Sequence, residues 1–192
     1  MPQLTVIIGS TRPGRKGLAI AEWFIDRARD HGGFDVDVAD LALIDLPMFD
    51  EPDHPRLRRY VHQHTKDWSA RIEAADAVVI VTPEYNFGYP ASVKNAIDYL
   101  HGEWRDKAVG FVSYGGVAAG TRAVQQLKQV LTALKMVPVP EAVSIPFHVR
   151  FIDADGVLHP DEVMERAAAA MLDELARLDG ALAQLRAAST AG

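Results

Sequence analysis

The chain opens on an apolar run at residues 4–8, rich in β-branched side chains and without polar alternation, the pattern of a strand covered on both faces. A glycine-rich loop follows at 9–17. Residues 18–29 then read as a helix, because Leu18, Ala21, Ile25 and Ala28 recur at helical spacing, and His31-Gly32-Gly33 stops it. Residues 34–39 alternate and form a second, more exposed strand. The stretch 41–49 is apolar but broken by Asp45 and Pro47, so it reads as a loop packed on the core. Residues 50–54 read as a surface turn and 56–74 as a helix. Residues 77–82 are the strongest buried-strand signal in the sequence. A loop at 83–90 leads into a helix at 91–100, a buried strand at 108–113, a loop at 114–120 and a helix at 121–134. Residues 137–145 are a proline-interrupted fifth strand region. Asp155-Gly156 marks a turn, so 151–158 reads as a small hairpin near the sheet edge. The last helix covers 161–178, with a packed stripe at Met164, Ala168, Leu172, Leu175 and Leu178 and an alanine- and leucine-rich continuation to Leu185. Residues 187–192 read as a frayed tail.

Strand regions alternating with helices imply an α/β three-layer sandwich around a mostly parallel sheet. The 192 residues suit one domain, taken as 1–186 ahead of the tail, and show no internal repeat or linker. There is no cysteine, which excludes disulfides, thiolate metal sites and a cysteine nucleophile. A net charge of −6 without a long basic run gives no support for nucleic-acid binding. The apolar stretches are too short to span a membrane, and the amino end reads as a strand rather than a signal peptide. The expected setting is the cytoplasm. Of the seven histidines, His62 and His64 are two apart, which on a regular helix points them in different directions, and no metal site is expected.

In such a sheet, ligands gather beyond the carboxyl ends of the strands. Three loops project from that edge: GSTRPGRKG at 9–17, PEYNFGYP at 83–90 and SYGGVAAG at 113–120. The first offers turn-forming glycines, the hydroxyls of Ser10 and Thr11, and the cations Arg12, Arg15 and Lys16 beside a helix start, so it can hold a phosphate. The alternative is a solvated turn ending in a helix cap. It is neither a Walker A loop, since Arg15 stands where lysine is required, nor GxGxxG. In the second loop, Glu84, Tyr85 and Asn86 can meet a flat heterocycle, or the aromatic residues can serve packing or a subunit contact. In the third, Gly115 and Gly116 let a flat ligand approach the backbone, or simply form a tight turn. Arg122 either balances the loop or lies on the surface.

Taken together, GSTRPGRKG, TPEYNFGYPASVKNAIDYL at 82–100 and SYGGVAAGTR at 113–122 resemble the NADPH-dependent FMN reductase family, which includes flavodoxin-like quinone, azo-dye and chromate reductases. The resemblance implies a flavodoxin-like five-stranded parallel sheet of order 2-1-3-4-5. It implies FMN as cofactor, with Ser10, Arg12, Arg15, Lys16, Gly17 and Leu18 around the phosphate. Pro83, Glu84, Tyr85 and Asn86 would meet the isoalloxazine, largely through backbone, with Ser113, Gly115 and Gly116 on its other side. Many members carry a serine shortly after the arginine of the phosphate loop, where this chain has Gly14-Arg15-Lys16-Gly17. NADPH or NADH is implied as reductant and a small molecule such as a quinone as acceptor. No side-chain nucleophile or other catalytic side chain is required, because the flavin carries the chemistry. A homodimer, in some members paired into a homotetramer, is implied; the helix bearing Lys94, Ala96, Ile97 and Tyr99 is a candidate interface or else packs on the parent sheet, and Trp104 either contacts a partner or covers a neighbouring flavin. Two rival readings are a flavodoxin-like electron-transfer protein and a non-catalytic binding protein on the same fold.

Overall fold

The structure, a computed structural model, describes residues 1–190. Five strands form one parallel sheet: β1 (Gln3–Ile8), β2 (Asp35–Asp40), β3 (Ala77–Pro83), β4 (Ala108–Gly115) and β5 (Val137–Pro146). Their order is β2-β1-β3-β4-β5, as the resemblance implies for a flavodoxin-like sandwich. The helices are α1 (Gly17–His31), α2 (Leu41–Ile44), α3 (Gln63–Ala74), α4 (Ala91–Asp98), α5 (Thr121–Ala133) and α6 (Glu162–Thr190).

Strand β3 lies at the centre and every one of its residues is buried. Because successive side chains point to opposite faces, Val79 and Val81 enter the layer packed by α1 and α6, while Val78 and Ile80 enter the layer packed by α3, α4 and α5. This two-sided burial is why the strand reads as a continuous apolar run, each valine or isoleucine contributing roughly 1.5–3 kcal/mol.

Several elements depart from the sequence reading for identifiable reasons. The stretch 41–49 begins as a helix, α2, because Asp40 caps it by accepting from the Ala42 N–H at 3.0 Å. The helix expected over 56–74 is split. A single 3₁₀ turn at Pro55–Leu57 ends where Arg58 turns left-handed, at φ 53°, and α3 starts only at Gln63. Between them Glu51 accepts from the N–H groups of Val61 and His62, at 2.8 and 3.0 Å, and holds the backbone out of the helix. His62 is therefore extended ahead of α3, and its ring stacks on His64 with centroids 5.1 Å apart, contrary to the divergence expected on a regular helix. Among the described residues, no group of three or more histidines or carboxylates is placed to hold a metal ion.

The hairpin expected at 151–158 is a single antiparallel bridge between Ile152 and Leu158, separate from the sheet. Helix α6 runs past Gly180, and its end is tied down by Arg186, which pairs with Asp179 at 2.5 Å and Asp76 at 3.0 Å. Residues 187–190 of the expected tail are helical, and 191–192 lie outside the described residues. Trp104 is fully buried, packs edge-on against Trp68 and donates to the Ile97 carbonyl at 3.1 Å, so its role is internal packing. No helix among the described residues is long and apolar enough to cross a membrane.

Candidate functional site

The parallel order sends the ends of β1, β3, β4 and β5 to one edge. There a cavity of about 890 Å³ opens, a size in the range of small-ligand and cofactor sites. Three of its walls are the loops singled out in the sequence.

The first wall is built by a tight turn. Pro13 fixes φ, Gly14 supplies the positive φ of 67°, and the Arg15 N–H closes on the Arg12 carbonyl at 3.1 Å. This is the chemistry of a type II turn. It delivers Ser10, Arg12, Arg15 and Lys16 to the cavity wall. The cations then divide. Arg15 makes a bidentate pair with Asp40, both contacts at 2.5 Å, and donates to the Ser10 carbonyl at 2.7 Å. Hydrogen bonding to Asp40 raises its pKa above the ordinary arginine value. Arg15 is thus the strut that shapes the loop. Arg12 and Lys16 form no ion pair among the described residues. Helix α1 starts beside them with no side-chain cap and no acidic residue in its first turn. Its opening N–H groups and these two cations leave a site suited to an anion.

Gly17 and Leu18 begin α1 but do not line the cavity. Gly17 matters through space: a Cβ there would lie 2.0 Å from the Tyr114 hydroxyl. That hydroxyl belongs to a polar cluster in which Ser10 Oγ and the Tyr85 hydroxyl are 3.0 Å apart. Burial first, then Tyr85, push the Tyr114 phenol well above its usual range, against the opposing influence of Ser10 and Arg15. Tyr114 therefore stays a protonated donor at neutral pH.

Pro83, Glu84 and Tyr85 form the second wall. Tyr85 and Gly88 exchange backbone hydrogen bonds at 2.8 and 2.9 Å, and Asn86 and Phe87 both have positive φ, as a two-residue hairpin turn requires. A phenylalanine in this conformation is strained. It is held by Arg122, whose guanidinium lies 3.6 Å over the Phe87 ring, and by Gln126, which donates to the Phe87 carbonyl at 3.1 Å. Arg122 also donates from Nε to Glu84 at 2.6 Å, so the buried Glu84 carboxylate braces the loop from behind. The N–H groups of Glu84 and Tyr85 are spent on Tyr114 and Gly88. Those of Asn86 and Phe87 have no partner among the described residues, although neither residue is itself in the cavity wall.

The third wall holds Gly115 and Gly116. Ser113 lies deeper. It is fully buried and donates to the Ala119 carbonyl at 2.8 Å, fixing the loop from inside.

A fourth wall went unread in the sequence: residues 147–150, directly after β5. Phe147 turns left-handed and its N–H reaches the Gly116 carbonyl at 3.3 Å. His148 bonds through Nδ1 to the Gly115 carbonyl at 3.1 Å and packs edge-on against Tyr114. The available signal was positional, since this segment also leaves the carboxyl end of a strand.

The sequence pattern of the family described as NADPH-dependent FMN reductase matches residues 2–149, which take in the whole of the sheet and every wall of the cavity except Arg150. The chain belongs to this family. An NAD(P)H-dependent FMN reductase of Schizosaccharomyces pombe is 42% identical over 149 residues, covering 76% of this chain and 74% of that protein. The NAD(P)H-dependent FMN reductase LOT6 of Saccharomyces cerevisiae is 35% identical over 177 residues, covering 83% and 92% respectively. Among solved structures, FerB, a flavoenzyme NAD(P)H:(acceptor) oxidoreductase from Paracoccus denitrificans, superimposes with a TM-score of 0.73 at 26% identity, over 94% of this chain and 98% of that one. Within this family member the cations of the first loop are divided in role. Arg15 is turned inward to Asp40, and Arg12 and Lys16 carry the uncompensated charge.

Proposed function

We propose that the chain binds FMN in the carboxyl-edge cavity, takes electrons from NADPH or NADH, and passes them to a small acceptor such as a quinone. The observation that carries this reading is the meeting of Arg12, Lys16 and the uncapped start of α1 with two glycine-bearing walls around one cavity. Bound FMN supplies the redox chemistry that links nicotinamide to acceptor. The residues supply position and charge. Arg12, Lys16 and the first N–H groups of α1 balance the phosphate. Ser10, Tyr85 and Tyr114 present hydroxyls above the loop. The N–H groups of Asn86 and Phe87 are the donors that the second loop leaves available to the ring. Glu84 is committed to Arg122 and supports the loop rather than moving protons.

Exposed apolar side chains, among them Met48, Phe49, Phe87 and Phe147, support a homodimer, with paired dimers as the alternative assembly. A cytoplasmic setting goes with the use of reduced nicotinamide.

The test is the visible spectrum of the purified, FMN-reconstituted protein before and after anaerobic addition of NADPH or NADH. Bleaching of bound flavin is expected. Bound FMN that neither nicotinamide reduces would move the electron-carrier reading ahead, and failure to bind FMN would overturn the cofactor assignment.

A further inference from the structure

At the amino edge of the sheet, away from the flavin loops, lies a second cavity of about 540 Å³. Strand β4 runs from one edge to the other over eight residues, so the two cavities are separated by roughly 25 Å. The wall is cationic: Arg56, Arg58, Arg105 and Lys135 surround it, with His101 beside them and Glu73 as the only acid.

The pairing of these charges is uneven. Arg58 is committed to Glu73 at 2.8 Å and to the buried Glu103 at 3.5 Å. Arg56, Arg105 and Lys135 form no ion pair among the described residues. In a chain of net charge −6, three uncompensated cations around one hollow are a concentrated exception. They repel one another, and an entering anion relieves that repulsion. His101 registers the local field. Burial first, then Arg56 and His54, hold its pKa below the ordinary histidine value, with Arg105 adding to the effect and Glu103 opposing it.

Backbone conformation fixes where two of these cations stand. Arg58 and Lys135 both adopt left-handed backbone, at φ 53° and 64°, where glycine is favoured. Lys135 is locked there by its N–H to the Thr132 carbonyl and by its own carbonyl to the Asp106 N–H, both at 3.0 Å. Arg58 closes the 3₁₀ turn and Lys135 follows the end of α5, positions where left-handed residues commonly terminate helices, so local turns hold both exposed cations at the rim of the hollow. Cations near the ends of α3 and α5 also complement those helix termini, but that role needs one charge per helix and no hollow.

We propose that this cavity is a second ligand site, taking a compact oligophosphate of two or three phosphates, either free or as the tail of a nucleotide. Guanidinium forks match phosphate oxygens, and the cavity is concave and local. An extended polyanion such as a nucleic acid would meet the acidic remainder of the surface.

Titration calorimetry of tripolyphosphate into full-length, FMN-saturated protein at low salt tests this, since saturating FMN keeps the other anion site filled. One equivalent per chain is expected, with the flavin spectrum unchanged. A Cβ at Gly102, which also lines the hollow, would meet nothing within 4 Å. Gly102→Glu therefore places a carboxylate in the cavity without a clash and is expected to weaken binding roughly tenfold or more, while Gly102→Gln keeps it. Lys135→Gly removes a cation and suits the left-handed backbone, so it is expected to weaken binding while Tm holds or rises. ATP binding tighter than tripolyphosphate assigns a nucleotide as the source, and equal or weaker binding assigns free oligophosphate. Absence of saturable heat, release of FMN by tripolyphosphate, or affinity unchanged in both Gly102→Glu and Lys135→Gly overturns the proposal. Should FMN not load, that failure belongs to the flavin reading, and the same titration on Arg12→Ala apoprotein decides this one.

Discussion

At the carboxyl edge of the sheet Arg15 is locked to Asp40 while Arg12 and Lys16 stay unpaired; at the amino edge Arg58 is locked to Glu73 and Glu103 while Arg56, Arg105 and Lys135 stay unpaired. Both edges use one tied arginine as a strut and leave other cations free. They differ in what the helices add. At the carboxyl edge α1 begins, and its free N–H groups point the favourable end of the dipole at an anion. At the amino edge α3 and α5 end, so carbonyls oppose an anion and side chains must supply all of the attraction. Equivalent charge is therefore expected to give directional anion binding at one end and looser electrostatic binding at the other.

The largest effect of a substitution at neutral pH is expected from removing a strut. Asp40→Ala leaves Arg15 half-buried and unpaired and removes the cap of α2, for a loss of about 3 kcal/mol in urea unfolding. Asp40→Asn keeps the cap and is expected to recover about 1 kcal/mol of that. Equal losses in the two variants would show that the cap contributes nothing. Next comes the packing behind the first loop. Gly17→Ala drives a methyl group into the Tyr114 hydroxyl, for a cost of about 2 kcal/mol and weaker flavin retention, read by thermal unfolding and flavin titration. An unchanged Tm would show that Tyr114 moves freely.

At the amino edge the effect depends on pH. Lys107 is buried, its ammonium donating to the carbonyls of Ile72 and Glu73, and burial lowers its pKa from 10.5 to about 8. Between those two values the unfolded chain binds the extra proton, so stability rises with pH across that window, by up to about 1.4 kcal/mol per unit. Below pH 8 both states are protonated and the slope vanishes. Lys107→Met is expected to flatten the rise, seen by comparing urea midpoints of the two proteins from pH 7 to 10. An identical slope in both would exclude Lys107 as its source.

Much of this was legible in the sequence because it depends on local pattern. Strand β3 is a run of β-branched residues buried on both faces, and Pro13-Gly14 is a turn in any context. Parallel order followed from alternating elements, and from it the convergence of three loops. What was not legible depends on partners distant in the chain. Arg15 looks like its neighbours until Asp40, 25 residues on, pairs with it. The helix read over 56–74 breaks at Arg58 because Glu51 captures two backbone donors. The wall at 147–150 carries no motif and enters the site only because β5 ends beside β4. Trp104 reads as a candidate partner contact until Trp68 packs against it inside the fold.

The most direct measurement is a parallel titration of FMN and riboflavin, which lacks the phosphate, into apoprotein of the parent chain and of Arg12→Ala. FMN affinity is expected to fall roughly tenfold or more in the variant, with riboflavin affinity unchanged. Equal affinities of the two ligands for the parent chain, or an Arg12→Ala protein that binds FMN as the parent does, would contradict the assignment of a phosphate to the start of α1.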